Sequence, residues 1–154
     1  VAEENSGKLV SVVRMQAKKI AEQRNLDLVL IDGAPGIGCP VIASIAGADL
    51  VLVVTEPTLS GLHDLTRVAD LTRHFEIETL VCINKWDLNP DITSDIERQA
   101  LERGIRVIGR VRYDRSVTQA QIRGRSVVEY GGDGAAADVR QAWEAAQESL
   151  SCPA

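Results

Sequence analysis

Two short polar stretches hold the residue types that phosphate and purine chemistry require. Asp32 follows four consecutive apolar residues, Leu28 to Ile31, and leads into Gly33-Ala34-Pro35-Gly36-Ile37-Gly38. An acid at the carboxyl end of a buried parallel strand stands where open α/β sheets bind ligands. In a phosphate-handling protein such an acid attends magnesium, and glycines after it let the backbone approach a phosphate closely. The plain alternative is a structural Asp-Gly turn. The second stretch, Asn84-Lys85-Trp86-Asp87, ends another apolar run. The Asn amide both donates and accepts, the Lys stem lies along a purine face, and the Asp accepts from ring or amino N–H groups. Its alternative is a capped loop in which Asp87 and Asn89 satisfy turn amides before Pro90. Two such stretches in this order, each at a strand end, favour a nucleotide. Only half of a nucleotide site is present, because Gly-x-x-x-x-Gly-Lys-[Ser/Thr] occurs nowhere in the 154 residues.

The elements that must position these residues alternate regularly. Strand signals fall at 28–32, 49–55, 78–83 and 105–111, each short and rich in β-branched residues. Helical spacing marks 8–23, with Ser6 as its cap, then 39–47, 61–75, 92–103, a short helix at 115–122, and 135–150 with Val139, Trp143 and Ala146 on one stripe. Strands joined by helical crossovers run parallel. The fold class expected is α/β: three layers, a mostly parallel sheet with helices on both faces. Gly131-Gly132-Asp133-Gly134 reads as a hinge, dividing a unit over 1–130 from a glycine hinge and C-terminal helix over 131–154.

Bulk composition agrees. A chain of this length buries roughly 70% of its unfolded surface, enough for a core without staples. Apolar residues make up 45% but aromatics only 3%, so the core is aliphatic. Seventeen basic and 22 acidic residues give a net charge of −5, which argues against a nucleic-acid backbone or an anionic membrane as main partner. Cys39, Cys82 and Cys152 show no metal-ligand spacing, and a reducing cytoplasm is the compartment expected. Neither a membrane-spanning run nor a signal peptide is evident, and the abrupt start reads as that of a cut piece.

Four segments together resemble a known family: Asp32-Gly-Ala-Pro-Gly-Ile-Gly-Cys-Pro, Val54-Thr-Glu-Pro-Thr-Leu-Ser-Gly-Leu-His-Asp-Leu, Ile83-Asn-Lys-Trp-Asp-Leu-Asn and Tyr113-Asp-Arg-Ser-Val. In that order they are similar to the C-terminal half of MinD-like deviant P-loop ATPases, over roughly residues 5–130. The similarity is nearest to the branch with an inserted ferredoxin-like domain, often described as cobyrinic acid a,c-diamide synthase-type. The resemblance implies a P-loop NTPase-like fold with the N-terminal strands, the phosphate loop and the iron–sulfur cysteines lying upstream. It implies ATP and magnesium as cofactors, with iron–sulfur clusters in that upstream domain. Asp32 then corresponds to the acid that holds magnesium through water, and Gly33, Pro35 and Gly36 to the switch loop that senses the terminal phosphate. Asn84, Lys85 and Asp87 correspond to the base-reading positions, and Tyr113 and Asp114 to the loop that closes over the base. Arg112 departs from the pattern, standing where relatives commonly have proline. Asn-Lys-x-Asp with its acid intact also suits guanine, so the resemblance alone favours ATP. The partners implied are the missing N-terminal half or a second copy, and an iron–sulfur or redox protein. Another class of reading is a non-catalytic module that pairs through an open sheet edge.

Other residues read more blandly. Asn5-Ser6-Gly7-Lys8-Leu9 mimics the tail of a phosphate loop but lacks its first glycine and its hydroxyl and follows no strand, so Lys8 is solvated or serves a partner's site. His63 and His74 lie at the two ends of one helix. Asp64 with Arg67, and Asp70 with Arg73, are surface pairs. Cys39 is a reactive thiol at a helix start or a small buried residue before Pro40. Trp86 either shields a base or packs its loop. Arg110, Arg112, Arg115, Arg123 and Arg125 form a basic group that is solvated or meets phosphates.

Overall fold

Val81 and Ile83 are fully buried at the centre of a three-stranded parallel sheet, and the rest of the fold is arranged around them. The computed structural model describes residues 2–151, with side chains from Gly7 onward. Strands β1 (Leu50–Thr55), β2 (Glu78–Asn84) and β3 (Arg106–Val111) lie in the order β1-β2-β3. Helices α3 (Leu59–His74) and α4 (Pro90–Glu102) make the crossovers. Alternation along β2 sends Val81 and Ile83 toward these two helices, where they pack with Leu65 and Ile96. On the opposite side Cys82 packs with Val111 of β3 and with Ala135 and Ala142 of α7 (Ala135–Ser151). Each fully buried aliphatic side chain contributes about 1.5–3 kcal/mol. The expected layered α/β architecture is therefore present, with helices on both faces.

A register shift lies between Val81 and Cys82, which pair with Val107 and Gly109 and so skip Ile108. The extra residue reverses the faces of β3. Val107 packs on the α3/α4 side, whereas Val111, four residues on, joins the α7 side. Gly109 is the contact point for α7, because a Cβ there would stand 2.6 Å from the Ala142 Cβ and 3.3 Å from its Cα.

The expected strand at 28–32 does not form. Residues 26–38 carry no helix or strand, and Leu28, Val29 and Leu30 are 43%, 38% and 78% exposed. A central strand needs a neighbour to take its backbone hydrogen bonds, and among the described residues β1 pairs only with β2. The apolar run thus has no ladder to join and stays at the surface. The first helix also differs from expectation: α1 spans Ala2–Arg24, so Ser6 falls inside it rather than capping it. Ala2, Glu3 and Glu4 are good helix formers that let the helix continue upstream. The side chains of Asn5 and Ser6, and all of Cys152, lie outside the described residues. Helix α1 packs on α2 (Cys39–Ile45), where Arg14 Nη1 donates to the Ala43 and Ala46 carbonyls at 2.8 and 2.5 Å, a cation on a helix C-terminus.

Candidate functional site

Parallel pairing brings the carboxyl ends of all three strands to one rim. Thr55 stands opposite Ile83 and Asn84 opposite Val111, so Glu56, Asn84 and the segment 112–114 emerge side by side. Asn84 Nδ2 donates to Glu56 Oε1 at 3.4 Å, and Lys85 Nζ donates to the same oxygen at 2.6 Å. Lys85 has φ 54° and ψ 37°, a left-handed conformation that a Cβ disfavours. That turn directs the chain into a single 3-10 turn, Trp86–Leu88. Trp86 is half-buried against the α3/α4 core, its carbonyl accepts from Thr93 Oγ1 at 2.8 Å, and the Arg110 guanidinium lies 5.6 Å from its ring centroid. Of the two roles open to Trp86, these contacts serve the packing of the loop. Asn89 caps α4 by accepting from the Ile92 N–H at 3.2 Å.

The loop after β3 is bolted down by three carboxylates. Asp87 Oδ1 accepts the Tyr113 N–H at 2.7 Å, joining the Asn-Lys-x-Asp turn to the neighbouring loop. Asp114 caps α5 (Arg115–Ile122) by accepting from the Ser116 N–H, and its other oxygen accepts from the Ala135 N–H. These amides hold its carboxyl below the usual range. Asp138 takes two bonds from the Arg112 guanidinium, at 2.7 and 2.8 Å, and one from the Arg112 backbone N–H at 3.0 Å. The side-chain bonds from Arg112 are the main cause of the lowered Asp138 pKa. A proline at position 112 would lack that backbone donor, so the departure from the family pattern has its own anchoring here. Several of the five arginines are spoken for within the fold: Arg110 bonds Glu97 at 2.5 Å, Arg112 bonds Asp138, and Arg123 bonds Tyr130 at 2.9 Å. A short helix, α6 (Val127–Tyr130), opens with a full capping box between Ser126 and Glu129.

Asp32, Gly33, Pro35 and Gly36 are exposed in the irregular segment that leads into α2. Gly36 has φ 88°, which favours glycine, whereas a Cβ on Gly33 would meet only Ser44 Cβ at an ordinary 3.8 Å. Cys39 is exposed at the start of α2 beside Pro40, and Cys82 is buried, its thiol pushed up to about 11 by desolvation first and the Asp138 charge second. Among the described residues no three His, Cys, Asp or Glu side chains gather as metal ligands. Asp32 is the one carboxylate in the loop at 32–38, so a divalent ion beside it would keep a shell made largely of water, coordination that magnesium accepts. Glu56 is not among the residues the sequence singles out. Its signal is nonetheless the one that marks Asp32: an acid directly after an apolar run.

No family model matches the chain. Two curated relatives are uncharacterized proteins of Methanocaldococcus jannaschii. MJ0578 is 37% identical over 89 residues, covering 58% of this chain and 31% of the relative, and MJ0579 is 25% identical over 130 residues, covering 84% and 42%. Among solved structures, MinD in a MinC:MinD cell division protein complex of Aquifex aeolicus matches with a TM-score of 0.71 at 20% identity, over 94% of this chain and 60% of that one. The septum site-determining protein MinD of Pyrococcus horikoshii, complexed with Mg-ADP, matches with a TM-score of 0.64 at 17% identity, over 83% and 54%. The chain thus has a MinD-like P-loop NTPase fold, of which it represents a part. It spans less than half the length of the curated relatives and somewhat over half that of the MinD chains it matches.

Proposed function

We propose that this chain is the magnesium- and purine-binding half of a MinD-like ATPase, a nucleotide-driven switch that does not hydrolyse ATP by itself. The observation that carries the reading is the shared rim: Asn84, Lys85 and Asp87 meet Tyr113 and Asp114 at the carboxyl ends of adjacent parallel strands, with Asp87 bonded to the Tyr113 amide. The fold it shares with MinD supports it further, one matched MinD being complexed with Mg-ADP. In this reading Asn84 and Asp87 read the base, Tyr113 and Asp114 belong to the loop beside it, and Asp32 holds magnesium through water. Gly33, Pro35 and Gly36 form the loop that responds to the terminal phosphate. Phosphoryl transfer needs amides and a lysine to neutralise developing charge, and the sequence contains no phosphate-loop pattern to supply them. Coupling to an iron–sulfur domain rests on the sequence resemblance alone.

Ligand-observed NMR with ATP and magnesium tests the reading. Binding is expected to weaken in Asn84→Ala and to lose its magnesium dependence in Asp32→Ala. Binding indifferent to both substitutions rules it out.

A second reading, a dimerising module without nucleotide affinity, is favoured by one specific feature. Among the described residues nothing pairs with the outer edge of β1, and Leu52 and Val54 on that strand are 37% and 62% exposed. Gel filtration separates the two: a tight dimer that binds no nucleotide supports the module.

A further inference from the structure

Three consecutive residues after β3 are gripped by two different elements. Asp87, in the turn after β2, takes the Tyr113 N–H, whereas Arg112 and Asp114 on either side of it both bond the first turn of α7. We infer that Asp138 of α7 is a positioning residue for nucleotide: it holds the loop at 112–114 beside the turn at 84–87, so that nucleotide affinity and the docking of α7 are coupled. The inference rests on the proposed reading of Tyr113 and Asp114 as the loop beside the base. It adds a side chain and a helix that the reading does not include.

The start of α7 is built to hold this loop. Gly134 precedes the helix and has no side chain to cap it, so the orphan Ala135 N–H donates to Asp114 Oδ2 from across the junction at 3.1 Å. A Cβ on Gly134 would collide with that same oxygen, so the close approach depends on glycine. Three residues into the helix, Asp138 accepts from the Arg112 Nε, Nη2 and backbone N–H at 2.7, 2.8 and 3.0 Å. The Asp138 side chain is 11% exposed against 50% for Arg112, so the carboxylate is the sheltered partner. Its charge also suits the amino end of a helix. A forked guanidinium contact together with a backbone bond fixes the orientation of residue 112 as well as its position.

Helix α7 is itself seated on the sheet by contacts that do not involve the loop. Ala142 meets Gly109 of β3, and Ala135 and Ala142 pack with Cys82 and with Val111, the residue next to Arg112. The helix therefore carries the position of the sheet to the loop. A loop ordered before its ligand arrives spares binding the entropy of ordering it. Without the Asp138 carboxylate, the Arg112 N–H and guanidinium turn to water and part of that ordering falls to the nucleotide. Linkage makes the effect reciprocal: a nucleotide that holds the loop also holds Asp114 and, through it, the Ala135 amide.

The test titrates ATP with magnesium, by ligand-observed NMR, against the wild-type chain, Asp138→Ala, Asp138→Asn, Asn84→Ala and Ile96→Val, each well below its melting temperature. Ile96 is fully buried in the α3/α4 core, on the other face of the sheet from α7, so Ile96→Val costs stability without touching the loop. Asp138→Ala is expected to weaken ATP binding by about tenfold, the worth of one well-placed hydrogen bond. Asp138→Asn keeps an oxygen for the Arg112 N–H and is expected to lose less, and Ile96→Val to bind as the wild type does. In the wild type, saturating ATP with magnesium is expected to slow hydrogen exchange at the Ala135 amide. ATP affinity unchanged in Asp138→Ala, or weakened equally in Ile96→Val, overturns the role of Asp138, while binding lost in Asn84→Ala leaves the base-reading intact. Exchange at Ala135 that ignores ATP overturns the coupling to α7. No binding by the wild type, or binding that ignores Asn84→Ala, overturns the base-reading itself and the role of Asp138 with it.

Discussion

The carboxylate of Asp114 accepts the backbone N–H of Ala135 at 3.1 Å, tying the start of α7 to the loop after β3. Its other oxygen caps α5 through Ser116 at 2.8 Å, so one side chain satisfies the amino ends of two helices. Both bonds favour the ionised form, as do the bonds to Asp138 and Glu129, and all three carboxyls are held below their ordinary range. A carboxyl with a depressed folded pKa stabilises fully above its unfolded value, about 4, and that stability is lost as pH falls through the folded value. Urea midpoints are therefore expected to fall steadily below about pH 4. Asp114→Asn keeps an acceptor but removes the charge, so its midpoint is expected to be lower at pH 7 and its acid slope shallower. An unchanged slope would show that Asp114 is not part of this linkage.

Gly134 is required for the same junction, since a Cβ there would collide with Asp114 Oδ2. Gly109 is required for another, where α7 crosses β3 at Ala142. Adding a methyl group at a close crossing forces backbone apart and costs about 1–3 kcal/mol. Gly109→Ala is expected to lose about that much in chemical denaturation, and the paired change Gly109→Ala with Ala142→Gly to recover part of it. A fully stable Gly109→Ala would mean that α7 can shift freely on the sheet.

Much of this architecture is legible in the sequence, and the parts that are not have specific physical causes. The three strands that pair appear within one residue of their expected ends, because Leu80 to Ile83 and the matching stretches of β1 and β3 are short apolar runs rich in β-branched residues between clear helices. The run at 28–32 carries the same signal yet forms no strand, since pairing is a property of neighbours and not of the segment. At the site, residue types announce Asn84 and Asp87. What they touch is set by register, which no local pattern encodes: Glu56 meets Asn84 only because Thr55 pairs with Ile83, and Asp138 meets Arg112 only because the skipped Ile108 turns Val111 toward α7.

Lys85 sits in a left-handed conformation that costs a residue with a Cβ about 1 kcal/mol or more. Lys85→Ala loses the bond to Glu56 and keeps that cost, whereas Lys85→Gly loses the bond and relieves it. Lys85→Gly is expected to be more stable than Lys85→Ala by about 1 kcal/mol in urea denaturation. Equal stabilities would contradict the positive φ at this turn.

Asp87 is expected to order the loop beside it whether or not a ligand is present. The Tyr113 N–H donates to a carboxylate, a bond stronger than one between neutral groups. Asp87→Ala leaves that amide to water and is expected to speed its hydrogen exchange by about tenfold or more. The Ser116 amide, held by Asp114, serves as internal reference and is expected to change little. Equal acceleration at both amides would point to general loosening of the loop instead of loss of one bond.

Cysteine chemistry separates the surface from the core. Cys39 is exposed beside the loop that carries Asp32, while Cys82 is buried in β2 with its thiol pushed up to about 11. Thiolate is the reacting species, so burial and a raised pKa act together to protect Cys82. Peptide mapping after a short pulse of alkylating agent at pH 8 is expected to find Cys39 modified and Cys82 intact, with Cys82 reacting once urea unfolds the chain. Nucleotide binding offers a further contrast: if the loop at 33–38 closes on phosphate as proposed, ATP with magnesium slows modification of Cys39 and leaves Cys82 as before. Protection of Cys39 that persists in Asp32→Ala would detach the loop's response from the metal.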